Sequence, residues 1–444
     1  MPQRNLLIVL VAAAISYACY VRGDQNPYAR FASSGLSTID ENSLAAVSSR
    51  ELFDAAMKGM VGVLHKHGDE HSRFFDERET EALMDEIHQQ FGGIGVRIQF
   101  LGDPLRLLIV ARPDPNTPAQ RAKLSRGDEI LAIDDRPTAR MSMDDVLVAM
   151  RGPAGQPIRL KVSPADGSEP TTVELVRENI TVESVLGDIR DIEGRWRFRL
   201  ADDPWIAHLR IRSFGDLTAH EVDRTLEQLV VEGVEAVVLD VRDNAGGTLE
   251  AAVDICSLLL PAGQLVVETR GRDGQARERW LTAGLAPPVD LPMAVLVNQN
   301  SASAAEIVAA ALQDHGRAIV VGQRTYGKGT VQQLIPTQAG KSTLKLTWAG
   351  FWRPSGQNIH RIKDAPEDAT WGVRPDDGFE VVLSADEYAD LQKYRSERDL
   401  AGLDALQETD PGDGEPQSAP ADFADRQLAR AVEGLRQMLE SGRR

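Results

Sequence analysis

The chain has 444 residues, long enough for two or three domains, and 42% of them are hydrophobic, the share of a globular protein with a sizeable core. Its net charge of −18 argues against nucleic acid as a partner, because phosphate binding needs clustered lysine and arginine. Two cysteines, Cys19 and Cys256, exclude a disulfide framework and a cysteine zinc site.

Arg4 precedes an apolar run, residues 6–21, broken only by Ser16, Tyr17 and Tyr20 and followed by Arg22. A basic start and an apolar stretch give the layout of a signal peptide. The run is short for a membrane span, which needs about 20 residues, and no clean Ala-x-Ala cleavage site follows. Residues 1–23 are therefore expected to be a cleaved export signal or an uncleaved membrane anchor. The protein would be periplasmic or held at the cell envelope. Residues 24–91 read as a helical segment: 49–65 and 77–91 carry apolar residues at helical spacing, with a loop at 69–75. His65, His67 and His71 fall in this segment, but their spacing fits no zinc-binding helix.

Gly92, Gly93, Ile94 and Gly95 open an alternating strand at 96–100, and 107–111 reads as a second strand. LSRGDEILAIDD (124–135), an amphipathic helix at 143–150 and strands at 157–162 and 171–176 follow. The stretch 92–180 resembles a PDZ domain. A glycine-rich loop ahead of an exposed strand edge can offer backbone N–H groups to a terminal carboxylate, while the peptide adds itself as a strand. Arg151 closes the helix, where a cation is favoured in any case.

From Trp205 strands and helices alternate, which implies a layered α/β core. A strand at 206–211 and a helix at 219–231 lead to VEAVVLDV (234–241), nearly all apolar, as a strand buried on both faces would be. DVRDNAGG (240–247) then turns into a helix at 249–260. A glycine-rich turn between a central strand and a helix can present free N–H groups. The apolar run 293–297 is a further buried strand. Asn298, Gln299 and Asn300 make its turn, and a helix of small residues spans 302–313, closed by Gly316. Ser303 sits in its first turn, where unpaired N–H groups and the helix dipole favour a nucleophilic oxygen and the oxyanion it creates. A strand at 318–322 brings the loop 324–329, which holds Lys328 between two glycines. Desolvation can lower a lysine from its usual value of about 10.4 and make it a base. GQRTYGK (322–328) nearly matches a phosphate-binding loop. Gly329 stands where the Ser or Thr for magnesium should be, and β-like sequence follows instead of a helix.

SASAAEI (301–307) followed by TYGKGTVQ (325–332) resembles the signature of the carboxyl-terminal processing peptidases, also called tail-specific proteases. The resemblance covers residues 52–376. It implies an α/β fold: a layered (ClpP/crotonase-like) serine protease core at 190–380, an inserted PDZ domain, and helical N- and C-terminal segments. Position by position it makes Ser303 the nucleophile, Lys328 the general base and Gln332 the residue that orients the lysine. The Asp-x-Arg-x-Asn-x-Gly-Gly turn would supply one oxyanion donor, the backbone N–H of Gly246 with Gly247 as the alternative, and Ala304 the other. Arg151 would link peptide binding to catalysis. The family usually carries Ser where this chain has Ala305, a position that is not the nucleophile. Glu70-His71-Ser72 is an imperfect counterpart of its Asp-Pro-His-Ser segment. No metal or cofactor is needed, and the partners would be polypeptide substrates held by their C-terminal ends.

Residues 381–444 read as a tail: a helix at 385–398, a linker composition at 410–420, and an amphipathic helix at 423–439. That last helix could pack on the body, pack on a partner subunit of a homo-oligomer, or stay solvated. Two other functions compete. A Ser–His–Asp enzyme lacks its Gly-x-Ser-x-Gly elbow, and His315 lies a helix length from Ser303. A catalytically silent PDZ adaptor of the cell envelope is opposed by intact Ser303, Lys328 and Gln332.

Overall fold

The computed structural model describes residues 16–17, 26–102, 104–191, 195–284, 290–362, 366, 369–404 and 423–442. The export or anchor segment, apart from Ser16 and Tyr17, and the 410–420 linker lie outside them. Among the described residues no helix is long and apolar enough to cross a membrane. The chain divides into two compact units, residues 1–80 with 332–347, and residues 81–331 with 348–444.

In the first unit, helices Pro27–Asn42 and Ser49–Lys66 precede strand Arg73–Phe75. This strand was expected to be a loop. It pairs antiparallel with residues 343–345, Phe74 opposite Leu344, and the Phe74 ring meets Phe53 edge-on at 5.9 Å. Its partner lies some 270 residues away along the chain, so no local periodicity could announce it. His65 bonds the Ser72 carbonyl through Nε2 at 2.7 Å, which gives that histidine a structural use. The Asp69 carboxylate accepts from the Ser72 N–H at 3.0 Å and from Thr347 Oγ1 at 2.9 Å. Burial alone would raise the Asp69 carboxyl, and these bonds hold it below its ordinary value.

The second unit holds two layered bodies. The PDZ-like body has strands β2 (Ile98–Leu101), β3 (Arg106–Ile109), β4 (Glu129–Ile133), β5 (Pro157–Ser163) and β6 (Thr171–Val176) in one antiparallel sheet, with helix α1 (Met143–Met150). Ile109, Ile130, Ile133, Val146, Ile158 and Leu160 are its core. The chain passes in and out through a ribbon of β1 (Gln90–Gly93) with β7 (Glu178–Thr181). The buried guanidinium of Arg177 donates to the carbonyls of Ala149, Met150 and Pro157 at 2.8–3.0 Å and so closes α1.

The second body is a sheet in the order β8 (Val185–Leu186), β9 (Ile206–Ile211), β10 (Ala236–Asp240), β13 (Met293–Val297), β14 (Ile319–Gly322). Its last four strands run parallel. Helices α2 (Thr218–Val231), α3 (Leu249–Leu259) and α4 (Ala304–Asp314) pack on one face. Strands β11 (Leu265–Arg270) and β12 (Ala276–Leu281) form a separate hairpin, and β11 pairs with residues 350–352.

The two C-terminal helices pack on the body. Helix α5 (Ala385–Asp404) docks on the strand ends, and helix α6 (Arg426–Glu440) covers the second face of the sheet. Ala431 and Leu435 of α6 pack against Ile206, Val238, Leu296 and Val321. This second layer explains why β10 and β13 are apolar at nearly every position: both faces are covered. Truncating the fully buried Leu435 to alanine is expected to cost about 2–5 kcal/mol, read as a lower urea midpoint of the full chain. An unchanged midpoint would mean that α6 does not dock.

Candidate functional site

Ser303 stands at the N-cap of α4 with φ 57° and ψ −116°. That conformation is costly for a residue with a Cβ and persists only where the surroundings impose it. Here they do. The Ser303 N–H donates to Glu306 Oε2 at 2.9 Å, the Ala302 N–H donates to the Asn244 carbonyl at 2.9 Å, and the serine as a whole is 9% exposed. Ala304 follows as the first helical residue, so a charge developing at Ser303 Oγ would meet the positive end of α4.

The turn 240–247 comes directly against this serine. Gly246 has φ 104°, and a Cβ there would lie 2.7 Å from Ser303 Cβ and 2.9 Å from the Ala302 carbonyl oxygen. Only glycine fits. The structure therefore puts Gly246 beside the nucleophile candidate, as the resemblance implies, but with a difference. The Gly246 N–H donates to Asn244 Oδ1 at 2.8 Å, and Asn244 is pinned by its own Nδ2–H to the Ile211 carbonyl at 2.7 Å. In this arrangement the amide expected to face an oxyanion is bonded within its own turn. A side chain two residues earlier captured it, a local competition common for asparagine.

Lys328 is half-buried in the loop after β14. The flanking Gly329 lets the loop lie against the chain at His360, where a Cβ would come within 2.1 Å of the His360 nitrogen. The Lys328 N–H donates to Glu306 Oε2 at 2.8 Å, the same oxygen that takes the Ser303 N–H. The other oxygen, Oε1, accepts from the Gly327 N–H at 2.7 Å and Thr325 Oγ1 at 2.6 Å. One buried carboxyl thus ties the backbone of the serine turn to the backbone of the lysine loop. Burial raises the Glu306 carboxyl from 4.5 to about 7, with the four hydrogen bonds opposing that rise.

Glu306 was missed in the sequence. Its only local signal is the Ser-x-x-Glu spacing of a capping box, Ser303 to Glu306. That spacing announces the bond to the Ser303 N–H. It does not announce the three bonds to residues 325–328.

The remaining candidates stand on other elements. Gly92 and Gly93 belong to the β1–β7 ribbon, opposite Asn179 and Glu178, so ladder pairing engages a stretch expected to form a carboxylate-binding loop. Ile94 is buried, and Gly95 follows with φ 79°. The Arg151 guanidinium lies 4.7 Å over the Phe91 ring of the same ribbon, and the Gly152 N–H donates to the Gly92 carbonyl at 3.1 Å. Gln332, in the other unit, donates through Nε2 to Thr347 Oγ1 at 3.5 Å. Cys256 is buried in α3, where the apolar surroundings push its thiol well above the ordinary range, so it is no thiolate nucleophile.

A cavity of about 2010 Å³ lies within the second unit. Val96, Ile98 and Leu147 of the PDZ-like body line it, and so do Arg242 and Asp243 of the glycine-rich turn. It could hold an extended peptide that reaches from one body toward the other.

A PDZ-like body joined to a layered α/β core, with a strained serine at a helix N-terminus, defines a peptidase of the serine type. Residues 109–163 match the PDZ domain and residues 205–377 match Peptidase family S41. A carboxy-terminal-processing protease of Bartonella bacilliformis is 30% identical over 94% of this chain and 90% of its own length. A carboxyl-terminal-processing protease of Synechocystis sp. is 32% identical over 71% of this chain and 69% of its own. The chain belongs to peptidase family S41, among the carboxyl-terminal processing proteases.

Proposed function

We propose that this chain is an endopeptidase that works through a Ser303–Lys328 dyad and takes its substrates by their C-terminal ends. The observation that carries the dyad is the shared Glu306 oxygen, which brings the Ser303 and Lys328 backbones to one atom. A substrate's C-terminus would bind at the PDZ-like body, and its chain would extend from there to Ser303. Lys328, neutral, takes the Ser303 hydroxyl proton as Oγ attacks the carbonyl carbon of the scissile peptide. The carbonyl oxygen becomes an oxyanion, for which the Ala304 N–H and an amide of the Gly246–Gly247 pair are the donors. The tetrahedral adduct collapses, and the Lys328 proton goes to the departing amine. Water, deprotonated by Lys328, then releases the acid from Ser303. Gln332, four residues along the chain, orients the lysine, and Arg151 couples peptide binding to catalysis.

The natural setting of this reaction is the cell envelope, reached through residues 1–23. The family comparison supports polypeptides as substrates, and the PDZ domain supports recognition of their C-terminal ends.

The dyad is tested by fluorophosphonate labelling and by cleavage of a denatured protein, using wild type, Ser303→Ala and Lys328→Ala. Only wild type is expected to label and cleave. Equal cleavage by all three would refute the dyad. Capture of C-terminal peptides with no labelling or cleavage by any of the three would favour the adaptor reading. Amidating the C-terminus of a model substrate is expected to raise KM. An unchanged KM would refute capture of the terminal carboxylate.

A further inference from the structure

The turn that meets Ser303 is held by helices that follow the stretch matching the S41 family model. That stretch ends at residue 377, and α5 and α6 begin after it. From α5, Tyr388 Oη donates to Asp243 Oδ1 at 2.7 Å, Gln392 Nε2 donates to Asp243 Oδ2 at 2.7 Å, and Arg395 Nη2 donates to Asp240 Oδ2 at 2.6 Å. At the N-terminus of α6, the Asp425 carboxylate accepts from both Arg242 Nη1 and Nη2, at 3.0 and 2.8 Å. Gln427 Oε1 accepts from Arg242 Nη1 at 2.9 Å. The C-terminal helices thus reach all three charged residues of the turn.

They also reach the turn before the nucleophile. Asp243 Oδ1 accepts from Asn298 Nδ2 at 2.8 Å and from Asn300 Nδ2 at 2.9 Å. Asn300 Nδ2 also donates to Tyr388 Oη at 2.9 Å. So Asp243 is the point where α5, the glycine-rich turn and the turn ahead of Ser303 meet. Asp243 itself has φ 60°, a backbone conformation that needs such support. The network is buried at its centre: Asp240 and Arg242 are 2% and 4% exposed. Burial alone would drive the Asp240 carboxyl up, and Arg242 and Arg395 hold it well below the usual carboxylate range.

We propose that α5 and α6 form a latch in which Tyr388, Gln392, Arg395 and Asp425 are positioning residues: they hold the 240–247 turn in register with the 298–301 turn, and so hold Gly246 against Ser303. Tyr388 and Asp425 do not line the cavity offered to the peptide, whereas Gln392 and Arg395 do, so Tyr388 is the cleaner reporter of positioning. The effect of the four reaches the chemistry through the backbone of the glycine-rich turn, where misplacement by about 1 Å can cost about 100-fold in rate. The latch rests on Ser303 being the nucleophile.

The test uses the full chain and compares wild type with Tyr388→Phe, Arg395→Ala, Arg395→Lys and Ser303→Ala. For each, kcat, KM, melting temperature and affinity for a peptide aldehyde are measured. Ser303 Oγ adds to the aldehyde carbon, its proton passes to Lys328, and the former carbonyl oxygen takes up the oxyanion position. Tyr388→Phe is expected to lower kcat about tenfold and Arg395→Ala about 100-fold. Aldehyde affinity should fall in step, with KM little changed for Tyr388→Phe, and Arg395→Lys should recover part of the loss. A merely structural role would lower the melting temperature and leave kcat and aldehyde affinity untouched well below it. Tyr388→Phe removes one oxygen and decides the matter alone should Arg395→Ala fail to fold. Wild-type kcat and aldehyde affinity in folded Tyr388→Phe and Arg395→Lys would overturn the latch. Cleavage by Ser303→Ala would instead remove the nucleophile assignment beneath it.

Discussion

Replacing Glu306 with alanine is expected to unfold the site and leave no measurable cleavage. Four donors would lose their acceptor at once: the N–H groups of Ser303, Gly327 and Lys328 and the Thr325 hydroxyl. Each buried donor left unmade costs about 1–3 kcal/mol, so the variant should lose several kcal/mol, among the larger effects of single substitutions. Glu306→Gln is the finer probe. Its carbonyl oxygen can still accept two bonds, while its NH2 group confronts two donors. Activity is expected to fall about 100-fold because the serine turn and the lysine loop part, with a smaller loss of stability. Wild-type kcat in Glu306→Gln would show that the shared carboxyl does not set the geometry.

The same residue gives a pH signature. Its folded-state pKa is raised from 4.5 to about 7, so between those values the folded state binds more protons than the unfolded one. By linkage, the stability this group contributes is full below 4.5 and is lost as pH rises through about 7. The wild-type melting temperature, taken relative to that of Glu306→Gln, should therefore decline across this window. Activity should run the other way. A protonated Glu306 must turn an O–H toward donors, so the clamp loosens as pH falls. Parallel rather than opposite trends would rule this account out.

What could be read in the sequence is what depends on local pattern. The run at 293–297 became β13 with the same bounds, and the helix expected at 302–313 became Ala304–Asp314. The two-residue shift at its start matters, because it makes Ser303 a cap with positive φ rather than a helical residue. The layered core followed from strands too apolar to leave a face exposed. What escaped depends on pairings distant in sequence. Phe74 opposite Leu344, Asp425 against Arg242, and Glu306 against Thr325 join segments with no shared periodicity. Each charged partner read alone is an ordinary surface residue. The second face of the sheet was likewise hidden, because an amphipathic helix does not say which surface it covers. The bond held by the Gly246 amide was hidden for a smaller reason: the motif counts glycines, whereas the Asn244 side chain takes that N–H in this structure.

Gly246→Ala is expected to lower kcat/KM at least 1000-fold, about the upper end of the loss from one oxyanion-hole donor. Two effects combine. The backbone sits at φ 104°, where alanine is strained by about 1–3 kcal/mol. The new methyl would also fall 2.7 Å from Ser303 Cβ and 3.1 Å from the Ala304 nitrogen, so the nucleophile or its helix must retreat. Gly233 supplies the control. It too has a positive φ, 74°, but a Cβ there meets nothing within 4 Å. Gly233→Ala should therefore carry the strain without the clash, losing about 1 kcal/mol of stability and no activity. If the two variants lose stability alike while only Gly246→Ala loses turnover, close approach to Ser303 is what the glycine provides. If both cleave as wild type does, the turn can move away from the serine without consequence, and the oxyanion role of this glycine pair fails.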